Sequence, residues 1–519
     1  MEVWHILLPL FLGAALKFFF FDHKKKAKKT SKLPLPPGPP SRLPFLGNIF
    51  LFRKILSDIQ STVYQQLRGK YGPIISISVA SNTTVVFISS HSLAHQALVK
   101  NSETFAHRPG PVTPSRVLFN NHDDVGSSSG ALWRLLRRNI TSEVLNPARY
   151  KSFGEARRWV LQILTQQFKD HSESGKPVTV IDHIGYAMFA LMLFLCFGEK
   201  LDEKLVREIE DLERTLMSNY VSFNYFLFFP RLGKFIFRKS WLKLLDVRRR
   251  QESILIPPIK ARREWRKKIK QEGQEGSNPD DGHIFSYIDS LFDLKIKGEE
   301  GERNLSDKEI MTLVSEFLDA GTDAPSSVLQ WIMAHLVKDQ DIQEKLYSEI
   351  KGVVNSKEEI KEEDLQKMPY LKALVMEALR LHPPGHFVLH HTVVEDFELD
   401  GYLIPKNSIV NFMVAQMGRD PKVWEDPMEF KPERFLGDVG EVIDITGSRE
   451  IKMMPFSAGR RICPGLGLAT LHLEYFVANF VRDFKWTVGD GEKIDFSEKE
   501  EFTVMMKSPL RAHVSPRVK

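Results

Sequence analysis

Residues 455–465 read Pro-Phe-Ser-Ala-Gly-Arg-Arg-Ile-Cys-Pro-Gly, and this stretch decides how the whole chain is interpreted. Its Cys463 is one of only two cysteines in 519 residues, so neither a disulfide framework nor a thiolate zinc cluster is available. An isolated cysteine is usually a small buried hydrophobe. Cys196, inside the apolar run 191–197, fits that description, whereas Cys463 lies in a loop of glycines and charges.

The surroundings of Cys463 favour a thiolate, which needs positive charge and hydrogen-bond donors nearby. Gly459 permits a backbone twist toward the sulfur, Arg461 adds charge, and a helix predicted from Leu466 onward points its N-terminal dipole at the sulfur. Gly465 leaves room for a flat macrocycle. We therefore predict that the thiolate of Cys463 is the ligand of a haem iron. Ligation by a thiolate favours cleavage of the O–O bond of bound oxygen. The alternative is a buried cysteine beside a surface pair of arginines.

The loop resembles the cysteine-loop signature of the cytochrome P450 superfamily, Phe456-x-x-Gly459-x-Arg461-x-Cys463-x-Gly465. Three further motifs agree with that family in order and separation, so the resemblance covers essentially the whole chain. They are Glu377-Ala378-Leu379-Arg380, Pro432-Glu433-Arg434-Phe435 and Trp133-x-x-x-Arg137. Stretches 412–421 and 450–468 are most similar to the membrane-bound plant group of oxidative secondary metabolism. The resemblance implies one mainly α domain with a small β subdomain, the cytochrome P450 fold.

The resemblance also implies roles for individual residues around haem b. Cys463 would ligate the iron, within a loop shaped by Phe456, Gly459 and Gly465. The residues implied to bind the haem propionates are Trp133, Arg137, His391, Arg461 and, as a weaker candidate, Arg108. Glu377, Arg380 and Arg434 would form a buried trio that positions the cysteine loop; a surface salt bridge is the alternative. Phe387, Val388 and Leu389 would line the substrate pocket, although from sequence alone they are core residues.

A capping box, Ser306-Asp307-Lys308-Glu309, predicts a long helix that runs to about Val337. In the family this helix crosses the haem face where oxygen binds. Charge-rich helices are predicted over 247–271, a surface loop over 271–282 and a short strand over 387–391.

The middle of the long helix departs from the family pattern, because residues 320–327 read Ala-Gly-Thr-Asp-Ala-Pro-Ser-Ser. The acid is kept as Asp323, but the threonine that normally relays protons is Ala324, which has no donor. Ser327, three residues further on, is predicted to return a hydroxyl to that face through water. Pro325 cannot bond the carbonyl of Gly321, so we predict a kink that widens the oxygen groove.

The N-terminal residues predict a membrane anchor followed by a linker. Residues 1–42 carry eight Lys or Arg and two acids, which accounts for the whole net charge of +6 and gives nucleic-acid binding no support. Residues 3–21 are apolar enough for one span, and the lysines after them predict a cytosolic domain at the endoplasmic reticulum. A cleaved signal peptide would carry its charge first. We predict an anchor over 1–22, a basic and proline-rich linker over 23–43 and a haem-thiolate domain over 44–519.

Three functions fit this sequence. The first is a monooxygenase that takes electrons from NADPH through NADPH-cytochrome P450 reductase, lies beside membrane lipid and hydroxylates a small lipophilic substrate. The second is a haem-thiolate isomerase, dehydratase or lyase that never needs the missing threonine. The third is a haem-binding protein that has lost turnover. The ordinary cysteine loop and the predicted anchor favour the first, by family analogy.

Overall fold

The computed structural model describes residues 33–40, 48, 51, 54–55, 60–80, 83–111, 113–222, 226, 233–271, 284–298, 301–355, 358–437, 443–489, 491–501 and 503–517. The predicted anchor, the basic half of the linker and most of the predicted loop 271–282 lie outside these residues. The proline half of the linker packs on the domain, since Ser76 donates its amide to Pro37 O (2.9 Å) and its hydroxyl to Pro36 O (2.6 Å). A Cβ on Gly38 would lie 1.8 Å from Ser76 O, so this close approach requires glycine.

Helices make up most of the described chain, as predicted. The α-helices are α1 (Arg68–Tyr71), α2 (His91–His95), α3 (Ser102–Phe105), α4 (Thr113–Leu118), α5 (Gly130–Glu143), α6 (Pro147–Ser152), α7 (Gly154–Ser174), α8 (Val180–Phe197), α9 (Glu203–Ser222), α10 (Gly233–Ile236), α11 (Arg238–Gln271), α12 (Tyr287–Phe292), α13 (Asp307–Lys338), α14 (Gln340–Val353), α15 (Pro369–Leu381), α16 (Val414–Gly418) and α17 (Leu466–Asp483). Short π or 3₁₀ turns cover Gln60–Leu67, Gln96–Lys100, Asn120–His122, Asp364–Lys367, Pro432–Phe435 and Gly459–Arg461.

The strands form small sheets at the edges of the helical body. They are β1 (Ile74–Ala80), β2 (Thr83–Ile88), β3 (Val178–Thr179), β4 (Lys295–Lys297), β5 (Glu302–Asn304), β6 (His391–Thr392), β7 (Phe397–Leu399), β8 (Tyr402–Ile404), β9 (Ile409–Phe412), β10 (Phe484–Thr487), β11 (Glu498–Glu500), β12 (Val504–Met506) and β13 (Arg511–Pro516). The largest has the order β1-β2-β9-β6, and β2 and β9 are parallel, with Val85 opposite Ile409. A second sheet has the order β10-β13-β3, and β11 pairs with β12 in a hairpin.

Helix α13 is the centre of the core. Ser306 and Glu309 form the predicted capping box, and the helix ends one residue beyond the predicted Val337. A Cβ on Gly321 would lie 2.1 Å from the terminal methyl of Met192, so glycine lets α8 pack closely on α13. Helix α8 is the one described helix that is long and apolar enough to cross a membrane, but 78% of it is buried inside the fold. It is a core helix, and Cys196 within it is fully buried, as predicted.

Two local predictions differ from the structure. Helix α11 begins at Arg238 and runs unbroken through Pro257 and Pro258, because a buried face that includes Gln251 and Arg262 packs on α13 and α12 and offsets the cost of the prolines. The predicted strand over 387–391 reduces to a single bridge at Phe387 and to β6. The carbonyls in between accept hydrogen bonds from a guanidinium instead of from a neighbouring strand, as described below.

Candidate active site around Cys463

The cysteine loop is held by its own backbone and by one glycine. The amide of Cys463 donates to Phe456 O (2.8 Å), which closes the loop over the turn Gly459–Arg461. Gly459 has φ +68°, and a Cβ there would lie 1.8 Å from Leu98 O. Both the left-handed backbone and the close approach therefore require glycine. Helix α17 then begins at Leu466, as predicted, two residues after Pro464.

The sulfur of Cys463 lies among groups that favour a metal-bound thiolate. Burial raises the pKa of the thiol, while the Gly465 amide and the positive charge of Arg137 act to lower it. A Cβ on Gly465 would come within 4 Å of one described atom outside its neighbours, the sulfur itself at 3.8 Å. The space beside the sulfur is therefore kept clear, as a flat macrocycle would need.

Positive charge accumulates beside the cysteine loop. The guanidinium of Arg461 lies 4.0 Å from the ring centre of Trp133 and donates to Ser128 O at 2.6 Å. Arg137, one turn after Trp133 on α5, donates to Ile462 O at 2.6 Å. Burial, together with repulsion from Arg108 and Arg137, lowers the pKa of Arg461 to about 9. Such crowded cations fit an anionic partner, and the two carboxylates of haem b are of that kind.

His391 and Arg108 complete this side of the site. His391 Nδ1 lies 2.6 Å from Phe105 O and so donates to it, which leaves Nε2 buried without a partner among the described residues. Burial and Arg108 lower the pKa of His391 to about 3. The imidazole is thus neutral in the absence of an anionic partner, and its contact with a propionate stays a prediction. A propionate beside Nε2 would favour a proton there, since an opposite charge raises a histidine pKa.

Arg108 binds backbone carbonyls. Its Nε donates to Gly126 O (2.8 Å) and its Nη1 donates to Leu389 O (2.8 Å) and His390 O (2.9 Å). These bonds explain why the chain around Leu389 forms no strand. They also join the loop 124–129 to the segment that contains the predicted pocket residues.

The three predicted pocket residues differ in exposure. Phe387 packs against Phe87, with ring centres 5.7 Å apart, and Val388 packs against the core beside the main sheet. Leu389 is 59% exposed. Phe387 and Val388 are thus half-buried against the core and Leu389 is open, and the assignment of all three to the substrate pocket stays a prediction.

One face of α13 is open along the predicted oxygen groove. Ala320 is exposed between the buried Asp319 and the half-buried Gly321, and Ala324, one turn further on, is half-buried on the same side. Helix α13 runs continuously through Pro325. The kink and the wider oxygen groove that Pro325 predicts stay predictions. Burial raises the pKa of the half-buried Asp323; Arg214 opposes this shift.

Ser327 does not offer a free hydroxyl to this groove. It is buried, and its Oγ donates to Val504 O on β12 at 2.6 Å; Trp331 Nε1 donates to the same carbonyl at 3.2 Å. The hydroxyl proton predicted to compensate for Ala324 is therefore engaged with the β11–β12 hairpin.

The predicted trio is present and buried. The carboxylate of Glu377 accepts three side-chain hydrogen bonds: from Arg380 Nε at 2.6 Å, from Arg380 Nη2 at 2.8 Å and from Arg434 Nε at 3.2 Å. Glu377 and Arg380 have fully buried side chains. Arg380 also donates to Gly418 O (2.6 Å) and Pro427 O (2.8 Å), so the trio fastens α15 to the chain that leads into the cysteine loop.

Sequence reasoning missed a set of acids on α13 and α9, of which Asp319 and Glu213 are buried and Glu316 is half-buried. Glu316 on α13 accepts from the amides of Val125 (2.8 Å) and Gly126 (2.6 Å), and burial raises its pKa to about 8. Asp319 lies one turn further along α13, near Glu213 of α9. The available signal was the presence of acids at 316, 319 and 323 in an otherwise apolar helix.

Comparison with known proteins agrees with the motifs. The family model described as cytochrome P450 matches residues 36–514. Cytochrome P450 89A9 of Arabidopsis thaliana is 45% identical over 97% of this chain and 96% of its own length. A flavonoid 3',5'-hydroxylase of Crocosmia x crocosmiiflora is 32% identical over 98% of this chain and 96% of its own length. The structure of a retinoic acid bound cyanobacterial CYP120A1 matches with TM-score 0.73 and 23% identity over 94% of this chain and 100% of its own. At that identity the structural likeness concerns the fold.

Proposed function

Because this chain belongs to the cytochrome P450 family, we propose that it inserts one atom of molecular oxygen into a small lipophilic plant metabolite. The chain is a haem-thiolate monooxygenase with haem b as its cofactor. In the proposed reaction a C–H bond becomes C–OH, NADPH supplies two electrons, and the second oxygen atom leaves as water. The observation that carries the proposal is the clear, positively charged space beside the Cys463 sulfur.

Haem bound through a thiolate supplies the activation of molecular oxygen. The chain's residues would bind and orient it, with Cys463 holding the iron and the crowded cations Arg108, Arg137 and Arg461 neutralising the propionates. The Trp133 ring would hold the Arg461 guanidinium in place by the contact at 4.0 Å, and His391 Nε2 would contact a propionate.

Asp323 is the proposed proton carrier. Its raised pKa lets the carboxyl hold a proton closer to neutral pH than an ordinary aspartate does, and its half-exposed position next to Arg214 connects it to solvent. Because Ala324 has no hydroxyl and Ser327 is engaged with Val504, water or the substrate itself would complete the path to the groove.

Electrons would come from NADPH-cytochrome P450 reductase at the endoplasmic reticulum membrane. Residues 3–21 would anchor the protein by a single span, and the lysines that follow them would keep the domain in the cytosol. The proline segment packed on β1 would fix the angle between this anchor and the domain.

The test is oxygen uptake by the full-length protein with reductase and NADPH, over a lipophilic plant extract under ¹⁸O₂. We expect NADPH-dependent products that carry one ¹⁸O atom, with little released peroxide. The missing hydroxyl at Ala324 favours a second candidate, rearrangement by a haem-thiolate isomerase, dehydratase or lyase. Products that form without NADPH and without ¹⁸O would support it, and haem binding without any product would indicate lost turnover.

A further inference from the structure

Two buried carboxyl groups meet where α9 touches α13, next to the open face of the groove. Asp319 directly precedes the exposed Ala320 and is itself 7% exposed, and Glu213 is 2% exposed. Ser315 donates to Glu213 Oε2 at 2.8 Å, and Gln251 donates to Ser315 at 3.1 Å. A polar chain therefore leads from α11 to this pair of acids.

The pair has acceptor atoms that no described residue uses. Glu213 Oε1 is buried without a hydrogen-bond partner in the described chain, and so is the hydroxyl of Thr322. None of the hydrogen bonds among the described residues ends on Asp319. Ser315, Asp319 and Thr322 are spaced four and three residues apart, so all three lie on one face of α13.

Ser315 is the one donor that the described residues give this pair, and burying carboxyl oxygens without donors is costly, so Asp319 and Glu213 Oε1 are suited to a partner that brings further donors. Burial raises the pKa of Glu213 to about 7 and that of Asp319 well above its usual range. Other charged or titratable groups nearby are Glu316 and Asp323 on α13, Cys196 on α8, Asp124 in the loop before α5, and the arginines Arg108, Arg214 and Arg248. Arg108 is bonded to backbone carbonyls, Arg214 pairs with Glu210 (2.7 Å), and Arg248 on α11 donates to Gln251 Oε1 (2.9 Å) and pairs with Glu252 (3.1 Å). Among the described residues, none of these three arginines bonds to Asp319 or Glu213.

We propose that Asp319 and Glu213 bind a basic nitrogen of the substrate, so that this enzyme takes lipophilic amines. The inference rests on the proposed function and names its substrate class. A protonated amine brings a positive charge together with an N–H donor for Asp319 and for Glu213 Oε1, whereas a hydroxyl brings the donor alone and a carboxylate would be repelled. The apolar body of the ligand would extend along Ala320 toward the exposed Leu389.

Ligand binding to the haem-loaded full-length protein tests this inference without any turnover. The probe is N,N-dimethyloctylamine, a tertiary amine whose protonated form donates one N–H. Its isosteres are the hydrocarbon in which CH replaces the nitrogen and the tertiary alcohol in which C–OH replaces it. Half-saturation is read from the shift of the haem absorption band in one detergent, so partitioning into micelles cancels between variants.

The variants are Asp319→Asn and Glu213→Gln, with Glu208→Gln as the control on the exposed side of α9. We expect the wild type to prefer the amine over the hydrocarbon by at least about tenfold. Asp319→Asn should reduce that preference by about tenfold, or about 1.4 kcal/mol, with hydrocarbon binding unchanged. Glu213→Gln should act in the same direction, and Glu208→Gln should have no effect.

Two results would overturn the inference. One is an amine preference that is absent in the wild type or unchanged in both Asp319→Asn and Glu213→Gln, provided that haem content and circular dichroism are retained. The other is binding of the alcohol as tight as that of the amine. Because no electrons are needed, amine binding without oxygenation would leave this site standing while the proposed function fails. Oxygenation without amine preference would remove the amine site alone.

Discussion

Replacing Glu377 by Gln tests whether the buried trio fixes the chain that leads into the cysteine loop. Four hydrogen bonds end on this carboxylate: two from Arg380, one from Arg434 Nε (3.2 Å) and one from the Lys431 amide (2.8 Å). The side chains of Glu377 and Arg380 are fully buried, and that of Arg434 is 11% exposed. Solvent therefore cannot take over the role of the carboxylate.

The expected loss of stability follows from the hydrogen bonds that a glutamine side chain can still accept at this position. Its carbonyl oxygen can take the place of Oε1, but its NH₂ group would face Arg380 Nε, now 2.6 Å from Oε2, as donor against donor. Loss of one charge-assisted hydrogen bond costs about 1.5–3 kcal/mol. Two guanidinium groups also remain without their anion, and breaking a buried pair from one side costs about 3–5 kcal/mol in all. We expect a loss of about 3–5 kcal/mol in the free energy of unfolding.

Urea unfolding of the full-length, haem-loaded protein measures this change, followed by haem absorption and by tryptophan fluorescence. Glu155→Gln is the matched control, because Glu155 and Arg158 form a pair with the same spacing of three residues. There the atoms are 3.4 Å apart and the glutamate side chain is 82% exposed, so we expect a change of no more than about 0.5 kcal/mol. Added salt should weaken the effect of the control and leave that of Glu377→Gln unchanged.

Equal unfolding midpoints for Glu377→Gln and Glu155→Gln would refute the reasoning. So would a large effect of Glu377→Gln that disappears in salt, because it would mean that the trio is accessible to ions. Loss of haem at an unchanged unfolding midpoint would instead separate positioning of the cysteine loop from stability of the fold.

Three further predictions concern the groove, the cysteine loop and acid stability. Ala324→Thr restores a hydroxyl and should raise the ratio of oxygenated product to released peroxide about fivefold, which corresponds to the free energy of one hydrogen bond, about 1 kcal/mol. Ala324→Val, in which the new side chain has the shape of threonine but no hydroxyl, should leave the ratio unchanged. Equal ratios in the two variants would contradict this prediction. Gly459→Ala should bind less haem and unfold more easily than Gly491→Ala. A left-handed backbone costs each alanine about 1–2 kcal/mol, but only the alanine at 459 would also collide with a carbonyl, that of Leu98. Identical haem contents of the two variants would argue against this prediction. Burial lowers the pKa of His382 from 6.5 to about 4, so between these pH values the unfolded chain binds a proton that the folded chain does not. The free energy of unfolding should therefore fall by about 3 kcal/mol as the pH drops from about 7 to 4. In urea titrations over this pH range, His382→Phe should flatten the profile.

The sequence predicted features that depend on short separations along the chain. The capping box at Ser306 and Glu309, the start of α17 after Gly465 and the pairing of Glu377 with Arg380 all involve residues a few positions apart. Helical geometry alone brings such residues together. The twist at Gly459 was likewise predictable, because glycine adopts a left-handed backbone without the steric penalty of a Cβ.

Predictions failed or stayed open for residues whose contact partners are distant in the sequence. The strand expected over 387–391 is reduced to a bridge at Phe387 and to β6, because Arg108, far away in the chain, donates to the carbonyls of Leu389 and His390. Glu213 was not singled out, because on α9 it resembles the many exposed acids around it. Only the packing of α9 on α13 turns it into a buried carboxyl beside Asp319.

Ser327 shows how such a distant partner changes the chemistry assigned to a residue. Its spacing from Ala324 places its hydroxyl near the groove, yet Val504, 177 positions away, accepts the proton at 2.6 Å. Moving that hydroxyl would leave the Val504 carbonyl to Trp331 alone and loosen the β11–β12 hairpin. Water or a substrate group is therefore better placed than Ser327 to replace the missing threonine.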